Sequence, residues 1–244
     1  MIVLFTDFGS RDPYLGQVKA VLHAQAPGIP LLDLLNEVPD YNPHAGAHLL
    51  AALASQLPLP AVFFAVVDPG VGTPRDGIVL EAGGAWFVGP DNGLLSVLAG
   101  RQGQARIWRI SWRPERVSPT FHGRDIFAPI AAALARGEFP AQKLAEKTRL
   151  DVEFDLADLA RVIYIDHYGN AWTGLRAAAW APSTRLRIGG SELTRAETYG
   201  EVDRGEPFWY VNSAGLAEVA VNRGNAATQL GLGVGDPVTV LRPS

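Results

Sequence analysis

The chain opens on an unbroken apolar run, Ile2–Phe5, which predicts a strand buried on both faces. Asp12-Pro13 then offers an N-cap followed by proline at the first helical turn, and Tyr14 to Gln25 carries apolar residues at helical spacing up to Pro27-Gly28. Leu31–Leu35 reads as a second strand, Asn42-Pro43 as the start of a helix running to about Gln56, and Ala61–Val67 as a third buried strand. Ile78–Ala82 and Ala85–Val88 flank Gly83-Gly84 as a hairpin, Asn92 opens a short helix, and Ile126–Arg136 is an Ala-rich helix stopped by Gly137. This alternation predicts an α/β domain with a mostly parallel central sheet.

Beyond about Leu150 the texture changes. Short strand-like runs (Arg161–Ile165, Thr184–Ile188, Phe208–Val211, Ala217–Val221, Pro237–Leu241) alternate with glycine turns, as in a smaller all-β barrel or sandwich. The acidic stretch between marks the boundary, giving an α/β domain over 1–152 and a β-barrel domain over 158–244.

Composition narrows the function classes. Of 244 residues 48% are hydrophobic and 19% charged, an ordinary globular balance. The net charge of −4, without any basic run, argues against nucleic acid or an anionic membrane as partner. The absence of cysteine removes disulfides, thiolate metal sites and cysteine nucleophiles. The N-terminus lacks a signal-peptide pattern, and no apolar window reaches the roughly 20 residues of a membrane span, so a cytoplasmic location is expected.

Polar residues collect just after the predicted strands, at Thr6-Asp7-Phe8-Gly9, Asp68-Pro69-Gly70-Val71-Gly72 and Pro90-Asp91-Asn92-Gly93. In an open sheet such loops build the ligand crevice. Each alone is ordinary turn chemistry; together they suggest one site. Neither a P-loop lysine nor a GxGxxG is present, and the acids suit a cation or a sugar better than a phosphate. Thr120-Phe121-His122-Gly123-Arg124-Asp125 is a further cluster, though His122 alone could be structural and Arg124–Asp125 a surface ion pair. His44 and His48 have the spacing of a metal pair but no third ligand, and read as a solvated helix face. Asp166-His167-Tyr168-Gly169-Asn170 offers a carboxylate, an aromatic face and an amide within one turn; Asn212–Gly215 is most simply a hairpin turn, and Asn222–Ala227 is either a turn or an anion or base contact made through backbone groups.

This ordered set (TDFG at 6–9, Asp12…Tyr14…Gly16…Lys19, DPGVG at 68–72, PDNGLL at 90–95, TFHGRDIFAP at 120–129, the Asp-His-Tyr-Gly-Asn loop and NRGNAA) resembles the S-adenosyl-L-methionine (SAM) hydrolases, also called SAM hydroxide adenosyltransferases, relatives of the fluorinase and chlorinase. The resemblance implies hydrolysis of SAM to adenosine and L-methionine without metal or cofactor. It also implies a homotrimer with active sites between subunits. It maps a catalytic triad onto Asp68, Arg75 and His122, and places Asp7 at the ribose hydroxyls with Tyr41 packing near the ligand. Asp166 and Ser213 fall at the methionine end; Tyr168, Asn170 and the backbone near Arg223 fall at adenine. Tyr168 departs from the expected phenylalanine, a change that preserves stacking.

The implied chemistry is sensible. A sulfonium leaves without protonation, so displacement at C5′ needs a water held in line with the C–S bond. Orientation contributes roughly 7–11 kcal/mol in favourable systems, and a general base about 10²–10⁴-fold. Two alternatives remain at this level. In a halogenase, Asp68 would repel halide and His122 would crowd it, whereas Gly123 would permit it. In a non-catalytic SAM or adenosine sensor, the triad would have no purpose.

Overall fold

The computed structural model describes residues 1–241. Contacts divide the chain into two compact units, Met1–Leu156 and a second that begins at Ala157.

The first unit is built on a seven-stranded sheet. In chain order its strands are β1 (Ile2–Thr6), β2 (Leu31–Leu35), β3 (Val62–Val66), β4 (Gly77–Ala82), β5 (Ala85–Pro90), β6 (Arg106–Ile110) and β7 (Leu144–Lys147). Their spatial order is β2-β1-β3-β5-β4-β6-β7. The apolar runs at β1 and β3 are central and buried on both faces, as their patterns predict. The sheet is mixed, however, not mostly parallel. β2, β1, β3 and β5 run parallel, and β4, β6 and β7 join antiparallel. The cause is local: the Gly83-Gly84 turn folds β5 back on β4, and two further strands then add by reversal at that side.

Helices α1 (Pro13–Gln25) and α4 (Ala128–Ala135) pack on each other, and α2 (Pro43–Ala54) packs on α3 (Ser96–Gln102). Val18 and Leu22 of α1 are fully buried in a core with Ile2, Leu4, Phe64, Val66 and Phe127. Burial of each such side chain contributes about 1.5–3 kcal/mol. Asn42 caps α2 by accepting from the Ala45 N–H at 3.0 Å. Asp12 occupies the N-cap position of α1 without making a side-chain cap bond. The helix expected from Asn92 begins at Ser96, because Gly93 takes a left-handed φ of 94° and Asn92 turns its amide onto the Val67 carbonyl at 2.8 Å.

The second unit contains β8 (Leu159–Ile165), β9 (Ala171–Arg176), β10 (Arg185–Ile188), β11 (Ser191–Leu193), β12 (Pro207–Val211), β13 (Leu216–Val221), a short helix α5 (Ala226–Leu230) and β14 (Thr239–Leu241). The described residues form two open antiparallel sheets, β12-β13-β9-β8 and β11-β10-β14, and no closed barrel. Only isolated bridges, Arg161–Pro237 and Arg195–Trp209, link the sheet edges, so the ladder is interrupted where a barrel would continue it. Trp209 is fully buried between them with Val162, Leu186, Ile188 and Val219, and its indole N–H donates to the Thr184 carbonyl at 3.2 Å.

Candidate active site

β1 connects through α1 to β2 on one side, and β2 returns through α2 to β3 on the other. The chain therefore diverges at the carboxyl ends of β1 and β3, the place where open α/β sheets bind ligands. A cleft of about 520 Å³ lies there. Four carboxylates line it, those of Asp7, Asp12, Asp40 and Asp68. One wall is aromatic: Phe121 packs edge-on against both Phe8, at 6.0 Å, and Tyr14, at 5.6 Å. Acids over an aromatic wall suit a cationic ligand.

Asp68 follows β3, and Arg75 grips it with both edges of its fork. Nε donates to Oδ1 at 2.8 Å and Nη2 donates to Oδ2. Nη1 donates to the Asp76 carbonyl at 3.1 Å, and the guanidinium lies 5.3 Å from the centre of the Phe127 ring. Nη2 also lies 3.3 Å from His122 Nδ1. Because a guanidinium has no acceptor, that contact requires Nδ1 to accept and leaves the imidazole proton on Nε2. Burial, followed by the positive charge of Arg75, pushes the His122 pKa below its ordinary value, which favours this neutral form.

The His122 loop reaches Asp68 because Gly72 lets it approach. Gly72 has a φ of 83°, and a Cβ there would sit 2.7 Å from the Pro119 carbonyl oxygen. Asp7, at the end of β1, accepts from the Tyr41 N–H at 3.4 Å. Burial raises its pKa to about 6, with Asp40 and Asp68 adding repulsion against that backbone hydrogen bond. Tyr41 has a φ of 56° and its ring is 77% exposed.

The structure thus brings Asp7, Tyr41, Asp68, Arg75 and His122 together in the first unit. Asp166, Tyr168 and Asn170 form one turn in the second: Asp166 Oδ1 accepts from the Tyr168 and Asn170 N–H groups, each at 2.9 Å. The Ala227 N–H donates to the Gly169 carbonyl at 2.9 Å, which ties this turn to the segment containing Arg223, itself at a φ of 56°. Ser213 is exposed on the turn between β12 and β13.

Three sequence readings change. The Pro90–Gly93 loop does not line the cleft. Asp91 is buried and binds Lys147 Nζ at 2.6 Å, and Asn92 supports the Val67 carbonyl next to Asp68. The histidines of α2 are not a solvated face: His48 is buried, and His44 stacks on Phe154 at 4.4 Å, because α2 is enclosed from Ala45 to Leu50. Asp40, unassigned from sequence, lines the cleft; its signal was its place beside Tyr41 in a loop following a strand. Among the described residues the acidic group spaced for a metal is Asp76, Asp91 and Asp151, and the Lys147 ammonium bridges all three at 2.6–3.0 Å.

Fold and cleft define an α/β protein with a carboxylate–guanidinium–imidazole site at a sheet switch point. The N- and C-terminal domains of the SAM hydroxide adenosyltransferase family match residues 2–145 and 160–239, and the chain belongs to that family. It is 40% identical to the (R)-S-adenosyl-L-methionine hydrolase of Thermus thermophilus, over 98% of this chain and 99% of that one. It is 39% identical to the protein of the same name from Salinispora tropica, over 96% and 95%. A fluorinase from Actinopolyspora mzabensis is more distant, at 26% over 99% and 97%. The crystal structure of an uncharacterized conserved protein from Thermotoga maritima superposes with a TM-score of 0.89 at 33% identity, covering 99% of this chain and all of that one. Among the described residues no helix is long and apolar enough to cross a membrane.

Proposed function

We propose that the protein hydrolyses S-adenosyl-L-methionine at ribose C5′, giving adenosine and L-methionine, and that the sulfonium it takes is the (R) epimer named for its relatives. The observation that carries this reading is the Asp68–Arg75–His122 constellation beside an acidic cleft. In the proposed step a water oxygen attacks C5′, the C5′–S bond breaks with its electron pair passing to sulfur, and methionine departs as a neutral thioether. The water's proton passes to Asp68 and then to solvent. His122, with its proton on Nε2, donates to the water oxygen and fixes its position. Arg75 holds both partners at their angles and offsets the charge of the forming hydroxide. No acid is needed at the leaving group, so the reading includes no metal and no cofactor.

Asp7 is assigned to the ribose hydroxyls and Tyr41 to packing against the ligand. Asp166 and Ser213 are assigned to the methionine end, with Tyr168 stacking on adenine and Asn170 and the Arg223 backbone at its edge. The exposed rings of Tyr41 and Tyr168 (77% and 73%) support the stacking assignments. A homotrimer with active sites formed between subunits, and a second domain built on an interrupted barrel, complete the reading. A halide would meet the Asp68 carboxylate, which favours water as the nucleophile over fluoride or chloride.

The test is incubation with (R)- and (S)-SAM in ¹⁸O-water, with and without chloride. Labelled adenosine with methionine in both buffers is expected. A 5′-chloro product, or intact SAM, contradicts the proposal.

A further inference from the structure

Among the buried ionisable groups outside the cleft, Glu218 heads a chain of hydrogen bonds that ends at the proposed base site. Its side chain, on β13, is 2% exposed. The Tyr210 hydroxyl donates to Oε1, and Asn212 Nδ2 donates to Oε2 at 3.0 Å. Two donors on two oxygens is the pattern of a carboxylate acceptor, and these hydrogen bonds oppose the burial that pushes the Glu218 pKa up. Tyr210 Oη lies 3.4 Å from Tyr199 Oη, and Tyr199 Oη accepts from Asn170 Nδ2 at 3.0 Å. The same amide nitrogen donates to Asp166 Oδ2 at 3.2 Å.

Donor accounting gives this chain one direction. The Tyr210 hydrogen is committed to Glu218, so between the two hydroxyls Tyr199 donates. The Tyr199 oxygen is then an acceptor for Asn170, whose amide nitrogen points inward, toward Tyr199, Asp166 and the Glu218 carboxylate. A reversed amide would set Oδ1 against the Asp166 carboxylate, and could keep the Tyr199 contact only if that hydroxyl turned its hydrogen away from Tyr210. Asn170 Oδ1 therefore remains as its group for a ligand, and no described residue donates to it.

We infer that Glu218, Tyr210 and Tyr199 are positioning residues that hold Asn170 with its carbonyl toward the base, so that the site accepts a 6-aminopurine and refuses a 6-oxopurine. An amino group at position 6 donates to that oxygen; an oxo group there sets two acceptors against each other. The inference rests on the assignment of Asn170 to the base edge.

Calorimetric titration of the full-length protein with adenosine and with inosine tests it independently of turnover. The wild type is expected to prefer adenosine by about 100-fold or more, since a site built for one hydrogen-bonding pattern rejects the other strongly. Tyr199→Phe keeps the ring that packs on Phe208 at 5.1 Å, so its fold is expected to persist. It and Glu218→Gln are each expected to narrow the preference about tenfold, a change in base choice that loss of stability alone does not produce. With SAM, Tyr199→Phe is expected to raise KM and leave kcat within about twofold. A wild type without preference overturns the inference. So does an unchanged preference in both variants while Asn170→Ala loses it, even where melting temperatures fall. If Asn170→Ala itself leaves adenosine affinity and preference intact, the assignment of Asn170 to the base has failed instead.

Discussion

Arg75 Nη2 stands 3.3 Å from His122 Nδ1 while the same nitrogen donates to Asp68, so one guanidinium sets both candidate proton carriers. A cation that can only donate makes His122 an acceptor at Nδ1 and leaves it a donor at Nε2. In that state the imidazole can donate to a water from Nε2 but cannot take its proton there. Asp68, with lone pairs beyond the two that Arg75 occupies, can.

Asp68→Asn keeps the volume of the side chain and removes the proposed proton acceptor. We expect kcat for adenosine formation to fall by about 10²–10⁴-fold. His122→Phe, which removes only the proposed positioning donor, should cost less. Single-turnover rates of the two variants check the order, and a smaller loss in Asp68→Asn than in His122→Phe would exchange their roles.

With Asp7 at the ribose hydroxyls, as proposed above, its titration should set the acid limb of the pH profile. Its pKa is raised by burial to about 6, so kcat/KM for SAM should fall below that pH as the carboxylate proposed to bind the ribose hydroxyls becomes protonated. Asp7→Asn should lower kcat/KM and flatten the profile between about pH 5 and 7, because the titrating group is gone. A limb near pH 6 that survives in the variant assigns it to another group.

The same shift has a consequence for stability. The folded chain binds the Asp7 proton more tightly than the unfolded chain, whose ordinary value is 3.8. Stability is therefore lost as pH rises from about 4 through about 6, and the ionised carboxylate carries the full penalty above that. After allowance for the partial exposure of the group, Asp7→Asn should be more stable than the wild type by about 1–2 kcal/mol at pH 8. Near pH 3 the two should melt alike. Urea unfolding at both pH values measures the difference.

Lys147 is the cation of a partly buried acidic knot, in which Asp91 is enclosed, Asp76 half-buried and Asp151 exposed. Removing one member of such a group leaves charge without a partner. Lys147→Met should therefore destabilise the protein by about 3–5 kcal/mol. The knot also bears on the site, since the Asp76 carbonyl that accepts from Arg75 belongs to a residue Lys147 binds. Adding Asp91→Leu to Lys147→Met should restore part of the loss in urea unfolding.

What could be read in the sequence followed the clarity of the local pattern. Ile2–Phe5 and Ala61–Val67 are apolar throughout and proved to be the central strands that carry Asp7 and Asp68. β6, Arg-Ile-Trp-Arg-Ile, mixes arginine with apolar residues at the less covered side of the sheet, and β7 is short and polar; neither was visible, and the parallel character of the sheet was overestimated as a result. The triad residues lie up to 54 positions apart, and their pairing came from family resemblance, not from spacing. Asp40 was missed because a carboxylate in a loop looks like turn chemistry until the fold folds that loop over β1. His48 was misread because two histidines at i and i+4 suggest a polar face, whereas the small residues around them, Ala45, Gly46 and Ala47, allow close packing on all sides.

Gly72 offers a test of how far the triad depends on the approach of two loops. Its backbone lies in the left-handed region at a φ of 83°, and an added methyl would meet the Pro119 carbonyl oxygen at 2.7 Å, which is backbone and cannot rotate away. Gly72→Ala should therefore destabilise the protein by about 1–3 kcal/mol through strain at this position. The loop that yields is the one carrying Thr120 and His122, so the geometry between His122 and Asp68 should loosen as well. A displacement of about 1 Å at a reacting group can cost about 10²-fold in rate. We expect kcat to fall well beyond what the loss of folded protein explains, measured at a temperature where circular dichroism shows the variant fully folded. A folded Gly72→Ala protein with wild-type kcat would mean that the His122 loop is held by its own contacts, and that the close approach at Gly72 serves packing alone.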